Sequence, residues 1–575
     1  MIKRHLLLGR RYLGRLYDGA RALAPARRRS ARADSIVRRK AIGVLDLWSR
    51  NAPSGEPAAE RVLVDGMWDN ANFWIRYALL RRALHLTGAR ETGLLGGFSR
   101  KRVREAFAGQ EITDLVDYHA LTKSRGSFVH QARILLATTR TAGDMLEWSL
   151  PHGFPGALVF DGILKRQRRA TVDLNDPLLA DYVAEALACI DGADRIVEEG
   201  GYDLVVLSHA LDYTYAALAW AAIRREIPVV VLYGDYGTAR FIRMSEPDAL
   251  FAYPDRPSKA EIDAVPEGAR QAMAREGGRQ LDARLKGQAG DVGSNYAYRN
   301  RRGRIDRRSL CDKFGWDPER PLLGVYASNW FDYPHVSGLR SFRDFLDWTE
   351  VTLSAAAKRE DVNWLFKAHP CDDWYPDIRG LRLEDLVRHA NGAHLRLADK
   401  SWNGLDLIDC LDGIITCHGT IGLEAAHLGK PVLTAHHGWY GHAGFSISPD
   451  DRDGYTAALA TPWWAGWDAG AAAHRARIFA GWYFCLPDWH GGYVYRDDSE
   501  QDAIYADLEE FLSGSADAVA REIETIRDWY DSGHPYYHVF KIGQARNFQT
   551  ADSTRITTSP HVPEADLRRA EGAAI

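Results

Sequence analysis

The chain of 575 residues carries a net charge of −4, and 46% of its residues are hydrophobic while 26% are charged. This length allows two or three domains with a large core, and the composition is typical of soluble globular proteins. Such a balance of charges gives no reason to expect nucleic acid as a partner. The six cysteines form no C-x-x-C pair, so we expect reduced cysteines in a cytosolic protein rather than a disulfide framework or a zinc site.

The first forty residues differ from the rest of the chain. Residues 1–40 hold 13 lysines and arginines but only two aspartates, and leucines recur among them at roughly helical spacing. This pattern predicts a basic amphipathic arm that lies on an anionic inner-membrane surface. The alternatives are a solvated basic arm, or residues upstream of the true start codon. No run approaches the roughly 20 apolar residues of a membrane span, and the start lacks the apolar core of a signal peptide. We therefore expect a cytoplasmic protein, either free or peripheral at the inner membrane.

Residues 41–260 are predicted to form the first domain. Helical periodicity marks residues 73–86, and the short apolar run 132–138 is a candidate strand. The clearest pattern is a βαβ unit, whose two strands should be parallel. Its strand, helix and second strand are residues 204–208, 213–225 and 228–233.

His209 directly follows the first strand of this unit. In doubly wound α/β domains, ligands bind outside the carboxyl ends of the strands. His209 is therefore a candidate general base. The alternative is a helix cap or a buried, hydrogen-bonded histidine.

Residues 261–320 are polar and read as a connecting segment, and residues 321–455 are predicted to form a second α/β domain. Its expected strands are residues 322–327, 362–366, 394–397, 413–416 and 431–434. Asp332 lies in the loop after the first of these strands and is a candidate catalytic base. An aspartate before Tyr-Pro is, however, more often a turn residue.

Two loops of this domain suit a phosphate. Lys367 and His369 follow the second strand and add positive charge there, while Pro370 fixes its own φ and holds the loop open. The turn 417–422, with His418, Gly419, Thr420 and Gly422, precedes a helix whose N-terminal N–H groups attract anions. Thr420 is the expected N-cap, and Glu424, one turn further, is a candidate partner for ribose hydroxyls. The alternative is an ordinary strand–turn–helix in which Thr420 serves only as a cap.

The second of these loops begins a pattern that resembles the capsule polysaccharide biosynthesis family, which includes transferases of the acidic sugar Kdo and is itself similar to GT-B glycosyltransferases. The matching residues are Thr416, Thr420, Gly422, Glu424, Ala425, Gly429, Lys430, Pro431, Val432, Gly438, Tyr440 and Gly444. The pair Ser208-His209 with Tyr213, and the stretch from Lys367 to Pro370, also resemble family motifs. In the family, the His-Pro pair contacts the donor phosphate. His418-Gly419 departs from the serine- or glutamine-containing turns of the family, which leaves the donor open.

The resemblance, which covers roughly residues 200–450, implies an α/β fold with two Rossmann-like domains facing a cleft, the GT-B arrangement. Residues 456–548 are rich in tryptophan and helix formers and are expected to form a helical, aromatic-rich C-terminal region. In GT-B folds a C-terminal helix often crosses back to the first domain, which residues 517–530 are expected to do, and the alternative for the aromatic residues of this region is packing in a core. The composition of residues 549–575 predicts a disordered tail. The loop 436–444 is expected to be flexible. Its three histidines suggest donor or acceptor contacts rather than a metal site.

The implied activity is that of a metal-independent glycosyltransferase with no cofactor besides its nucleotide-sugar donor. CMP-Kdo is one candidate donor, and UDP- or GDP-sugars are others. The acceptor would be a glycan or glycolipid of the bacterial capsule or lipopolysaccharide. In this setting His209 would act as a base or pair with a sugar carboxylate. The alternatives are a sugar-nucleotide 2-epimerase, a glycerophosphotransferase, and a non-catalytic glycan-binding or export factor.

Overall fold

The fold was obtained as a computed structural model of the chain. It describes residues 25–51, 55–67, 69–122, 125–233, 240–251, 259–289, 294, 297–298, 303–370, 372, 375, 378–484 and 516–544. The expected tail at 549–575 and the first 24 residues of the basic arm lie outside the described residues.

The first sheet has six strands in the order β3-β2-β1-β4-β5-β6. They are β1 (Arg61–Gly66), β2 (Arg90–Leu95), β3 (Asp114–Val116), β4 (Leu204–Leu207), β5 (Val229–Tyr233) and β6 (Arg240–Met244). All neighbours are parallel except β5 and β6, which are antiparallel. This is a doubly wound sheet, and the direction of winding reverses between β1 and β4. The predicted βαβ unit is confirmed as β4 and β5 with the helix between them.

The second sheet has five strands, all parallel, in the order β11-β10-β7-β8-β9. They are β7 (Leu322–Tyr326), β8 (Asn363–Lys367), β9 (Leu395–Leu397), β10 (Gly413–Thr416) and β11 (Val432–Thr434). Its winding reverses between β7 and β10, so both sheets share one topology. The predicted fold class, an α/β protein with two Rossmann-like sheets, is confirmed.

Helices cover the faces of both sheets. Those that precede or accompany the first sheet are α1 (Pro25–Arg50), α2 (Ala71–Ala83), α3 (Arg100–Gly109), α4 (Tyr118–Thr122), α5 (Val129–Thr138), α6 (Gly156–Gln167), α7 (Leu179–Gly200) and α8 (Asp212–Ile223). Those that follow are α9 (Lys259–Ala264), α10 (Glu267–Leu285), α11 (Arg307–Phe314), α12 (Phe345–Ala357), α13 (Leu383–Ala390), α14 (Gly404–Cys410), α15 (Ile421–His427), α16 (Arg452–Leu459), α17 (Ala469–Phe484), α18 (Ala516–Ser532) and α19 (Tyr537–Gln544).

The strand expected at 132–138 is wrong, because these residues belong to helix α5. Ala132 is buried while Ile134, two positions on, is 55% exposed. Residues two apart share a face in a strand but not in a helix. A short apolar run does not distinguish the two, and here the helix buries only one side.

The basic N-terminal segment is partly docked on the first domain. Helix α1 runs without interruption through the boundary that we placed at residue 40. Arg38, on this helix, is 5% exposed, and its guanidinium pairs with Asp69 at 2.9 Å. Among the described helices, none is long and apolar enough to cross a membrane.

The two sheets share one hydrophobic core, and helices α18 and α19 contribute to a second one. One cluster of buried side chains continues from Leu63 in the first sheet to Val325 and Trp348 in the second domain. Another joins β1 and β4 to Trp529 of helix α18, which is fully buried. Residues from the end of the chain therefore complete the core of the first domain.

Candidate functional site

The carboxyl edge of the first sheet brings together a carboxylate, a serine and a histidine. Asp65 lies near the end of β1, and Ser208 and His209 follow β4. These two strands are neighbours on either side of the point where the winding reverses, which is where doubly wound sheets bind ligands. We predicted His209 from the sequence but not Asp65, although an aspartate at the end of a buried strand is the same kind of signal.

Asp65 is held by several hydrogen-bond donors. Its Oδ1 accepts the N–H of Met67 at 2.7 Å, and its Oδ2 accepts the N–H of Ser208 at 2.8 Å and the Oγ–H of Ser208 at 2.5 Å. Burial raises the pKa of Asp65, and these hydrogen bonds act in the opposite direction. Because Asp65 is 2% exposed, it does not contact a ligand directly, and any effect on a ligand passes through Ser208 and His209.

His209 extends this group toward the cleft. Its Nδ1 lies 2.9 Å from Oγ of Ser208. The side chain is only half buried, and its ring centroid lies 5.4 Å from that of Tyr215 on helix α8. Burial, together with the nearby charge of Asp65, raises the pKa of Tyr215 well above its usual value. Tyr215 is thus a neutral hydroxyl beside the histidine.

At the carboxyl edge of the second sheet, three strands end in register. Tyr326 of β7 is paired with Lys367 of β8 on one side and with Thr416 of β10 on the other. Two strand spacings therefore separate the backbones at Lys367 and Thr416, about 10 Å. The sheet thus brings the Lys367 loop and the His418 turn to one edge, as the sequence predicted.

Lys367 and His369 differ in their surroundings. Lys367 is buried, and its Nζ lies 5.4 Å from the centre of the Tyr326 ring. His369 and Pro370 are half buried at the edge, and the carbonyl of His369 accepts the N–H of Asp372 at 3.1 Å. The amide of Asn329, after β7, donates to Asp372 at 3.0 Å and so connects the loops that follow β7 and β8.

His418 is buried and paired with a second histidine. Its Nδ1 lies 2.8 Å from Nε2 of His436, and Nδ1 of His436 accepts the N–H of Gly438 at 3.1 Å. Burial lowers the pKa of His418 to about 4, and the charge of Asp332 opposes this effect only partly. His418 is therefore neutral at physiological pH. We predicted that His436 lies in the loop 436–444, but the sequence did not indicate its pairing with His418.

Cys417, His418 and His436 together have the composition of a metal site. Their candidate ligand atoms lie within 4.8 Å of one another, and all three residues are buried. The N–H of Gly438, however, points at Nδ1 of His436, which places the proton of neutral His436 on Nε2. A metal would need a lone pair on that nitrogen. The arrangement is thus suited to a hydrogen bond between the rings. Burial also raises the pKa of the Cys417 thiol well above its usual value.

The turn before helix α15 is stabilised differently from our prediction. Thr420 precedes the helix, but among the described residues its side chain makes no capping hydrogen bond. Instead, Oγ1 of Thr416 accepts the N–H of Gly419 at 3.2 Å. Gly422 is required by packing, because a Cβ there would lie 2.2 Å from the hydroxyl oxygen of Tyr440.

Glu424 belongs to a buried polar cluster. Its Oε1 accepts a hydrogen bond from Nε of Arg284 at 3.2 Å, and its Oε2 accepts one from the hydroxyl of Tyr298. Glu424 and Arg284 are each 4% exposed. Both carboxylate oxygens are thus engaged by protein groups, and the ribose contact that we predicted would need one of these bonds to be exchanged.

Asp332 lies at the junction of the two domains. Its carboxylate pairs with Nζ of Lys165, on helix α6 of the first domain, at 3.1 Å and is 63% exposed. The same ammonium lies 5.1 to 5.5 Å from the ring centres of Phe331, Tyr333 and Tyr375. Asp332 therefore takes part in a contact between the two domains, and its role as a base stays a prediction.

A second contact across the cleft is buried. The carboxylate of Asp161, also on helix α6, accepts the N–H of His335 at 2.9 Å and that of Val336 at 3.2 Å. Nδ1 of His335 lies 2.7 Å from the same carboxylate. Because Asp161 is fully buried, these bonds fix the loop after β7 against the first domain.

The loop 436–444 is not the flexible loop that we expected. Trp439 and Tyr440 are 4% and 1% exposed and belong to the core of the second domain. The indole N–H of Trp439 donates to the carbonyl of His418, and the hydroxyl of Tyr440 donates to that of Gly419, at 2.8 and 2.9 Å. The loop therefore holds the 417–422 turn in place, because its aromatic residues fill the core rather than a binding surface.

No protein-family model matches the chain, and no curated protein matches it. Among solved structures, it is similar to the KpsC β-Kdo 2,4-transferase of Thermosulfurimonas dismutans, with 16% identity over 45% of this chain and 79% of that chain and a TM-score of 0.28. It is similar to a glycosyltransferase of Rickettsia africae with 9% identity, 82% and 98% coverage and a TM-score of 0.24. It is also similar to the UDP-GlcNAc 2-epimerase of Neisseria meningitidis, with 11% identity over 79% of this chain and 98% of that chain and a TM-score of 0.24. These three TM-scores are all below 0.5.

Proposed function

We propose that the protein is a glycosyltransferase that moves a sugar from a nucleotide-sugar donor to a glycan of the bacterial capsule or lipopolysaccharide. The observation that supports this most directly is that the carboxyl edges of the two sheets carry different chemistry. The first carries His209, backed by Asp65 and Ser208. The second carries Lys367, His369 and His418.

In this proposal the second edge holds the donor phosphate. Lys367 and His369 provide positive charge and N–H donors as the phosphate leaves. His418 is neutral and carries its proton on Nε2, so it donates a further hydrogen bond to the phosphate without adding a positive charge. The family resemblance of the Lys-x-His-Pro stretch supports the same role.

The first edge activates the acceptor. Nε2 of His209 takes the proton from an acceptor hydroxyl while the hydroxyl oxygen forms its bond to the anomeric carbon of the sugar. The bond from that carbon to the donor phosphate oxygen breaks, and its electron pair leaves with the phosphate. The contacts of helix α6 with the loop after β7 hold that loop of the second domain against the first domain, which favours a preorganised arrangement of the two substrates.

Nucleotide binding tests the donor site. We expect one of CMP, UDP, GDP or CDP to raise the thermal stability of the protein selectively, by about 2.7 kcal/mol at a hundredfold excess over Kd. CMP would identify Kdo or a related acidic sugar as the donor class. His369→Ala should remove the shift, while His389→Ala, at an exposed position on helix α13, should leave it unchanged.

Turnover tests the reaction. The protein is incubated with the matching nucleotide sugar and a capsule or lipopolysaccharide glycan, and the products are examined by mass spectrometry and NMR. A glycan that gains the sugar is the expected result. A nucleotide sugar that is epimerised but not consumed would overturn the proposal in favour of an epimerase. The absence of a shift with every nucleotide would favour a glycan-binding factor.

A further inference from the structure

We propose that Asp65 is a positioning residue that, through Ser208, keeps the proton of neutral His209 on Nδ1 and leaves Nε2 as a proton acceptor. The role of His209 as a base rests on the function proposed above. The position of the proton on His209 is a property of the protein without substrates and does not depend on that function.

The direction of the hydrogen bonds follows from what each group can donate. An ionised carboxylate only accepts, and Asp65 already receives the backbone N–H groups of Met67 and Ser208 at 2.7 and 2.8 Å. The hydroxyl of Ser208 must therefore donate to Oδ2 of Asp65, at 2.5 Å. Its oxygen then accepts from the groups beside it, which are Nδ1 of His209, at 2.9 Å, and the hydroxyl of Tyr215. A hydroxyl oxygen has two lone pairs, so it accepts from both. Nδ1 thus carries the hydrogen, and the lone pair is on Nε2.

The location of this group supports a role beyond structure. Asp65 and Ser208 are 2% and 8% exposed at the reversal point of the sheet, whereas His209 is only half buried. The buried carboxylate is thus connected by hydrogen bonds, through Ser208, to the partly exposed His209. Among the residues that the structure describes, Tyr215 lies beside this group and Tyr333 lies near Tyr215. Burial raises the pKa values of both tyrosines well above the usual range, so both keep their protons.

The proposal is tested by measuring how diethyl pyrocarbonate, which modifies unprotonated imidazole nitrogens, reacts with His209 as a function of pH. After trypsin digestion, His209 is the single histidine of the peptide 196–224, and the exposed His474 is the single histidine of the peptide 453–475. Mass spectrometry therefore reports the two residues separately in the same sample, with His474 as the internal control.

Four forms of the full-length protein are compared: the wild type, Ser208→Ala, Ser208→Thr and Asp65→Asn. Loss of the acceptor beside Nδ1–H destabilises the imidazolium, so Ser208→Ala and Asp65→Asn should move the midpoint of His209 modification to lower pH by about one unit. Ser208→Thr, which keeps the hydroxyl, should restore it. The midpoint of His474 should not change in any form.

Equal His209 midpoints in all four forms would overturn the proposal. If Asp65→Asn fails to fold, Ser208→Ala and Ser208→Thr still decide the question, because these two substitutions do not remove the buried charge of Asp65. The measurement needs neither donor nor acceptor, so its failure is distinct from failure of the proposed function. With a donor in hand, Asp65→Asn should lower kcat at least about a hundredfold while leaving the thermal shift with nucleotide unchanged, because the proposed donor site is on the other sheet.

Discussion

His209 and His418 occupy equivalent positions in the two sheets. Each is the second residue beyond the fourth strand of its own sheet, since β4 ends at Leu207 and β10 ends at Thr416. Each uses Nδ1 for a short contact within the protein, 2.9 Å to Ser208 in one case and 2.8 Å to His436 in the other. The first chain of hydrogen bonds ends on a carboxylate and the second on a backbone N–H. The protons therefore lie on opposite nitrogens, and the two rings present a proton acceptor and a proton donor.

The buried His418 should make the protein sensitive to acid. Its pKa is lowered to about 4 by burial, whereas an unfolded histidine has a pKa of about 6.5. Between these values the unfolded state binds a proton that the folded state does not, so the free energy of unfolding falls as the pH drops from about 6.5 to about 4. The full loss is about 3 kcal/mol.

Urea denaturation at pH 4, 5, 6 and 7 measures this dependence. His418→Asn should flatten the curve below pH 6.5, and His474→Asn, at an exposed position, should follow the wild type. Identical pH dependence in the wild type and His418→Asn would refute the assignment.

Glu424→Ala should destabilise the fold. The change would leave the guanidinium of Arg284, which is 4% exposed, without its carboxylate, and such losses cost about 3–5 kcal/mol. The double variant Glu424→Met, Arg284→Met should recover much of this, because no buried charge is left unpaired. Chemical denaturation provides the measurement. A Glu424→Ala variant of normal stability that shows only a higher KM for the donor would instead support the ribose contact.

Gly422→Ala should also lower the melting temperature. The added Cβ would lie 2.2 Å from the hydroxyl oxygen of Tyr440 and 3.0 Å from its Cζ. Overpacking of this kind costs about 1–3 kcal/mol. Tyr440→Phe removes the nearer atom, so in a double-mutant cycle it should cost less in the Gly422→Ala background than in the wild type. Additive effects would mean that the two residues do not press on one another.

Lys165→Met should weaken the contact between the domains only slightly. The change removes an exposed ion pair with Asp332 and three cation–π contacts but keeps the length of the side chain. We expect a loss of about 1 kcal/mol in the free energy of unfolding. Lys101→Met, at an exposed position on helix α3, is the matched control and should cost nothing measurable. A loss no larger than that of the control would show that the contact is not formed in solution.

Truncation of the N-terminus separates membrane contact from folding. Removal of residues 1–24 should move the protein from the membrane fraction to the soluble one, with unchanged stability. Removal of residues 1–40 also deletes Arg38 and its buried pair with Asp69, so this form should in addition unfold more easily. Unchanged fractionation of the shorter deletion would end the idea of a membrane-binding arm.

The strands of the second domain were predicted to within about one residue, whereas the contacts around the site were not. The strands are short apolar runs bounded by turn residues, which is a local signal. The bond between Ser208 and Asp65 instead joins residues 143 positions apart, and the pair of Glu424 with Arg284 spans 140 positions. No local pattern distinguishes a glutamate that faces a ligand from one that faces a buried arginine. The expected flexible loop failed for the same reason, since only the fold shows that Trp439 and Tyr440 are buried.

The position of helix α18 has a consequence for how the protein is made. Ile526 and Trp529, both fully buried, belong to the same cluster as Val62 and Val64 of the first strand. A nascent chain that has released the whole first domain from the ribosome therefore still lacks one wall of that domain's core. The first domain is therefore completed only after the second domain has been synthesised, and a stop codon shortly before residue 516 would leave the first sheet without part of its core.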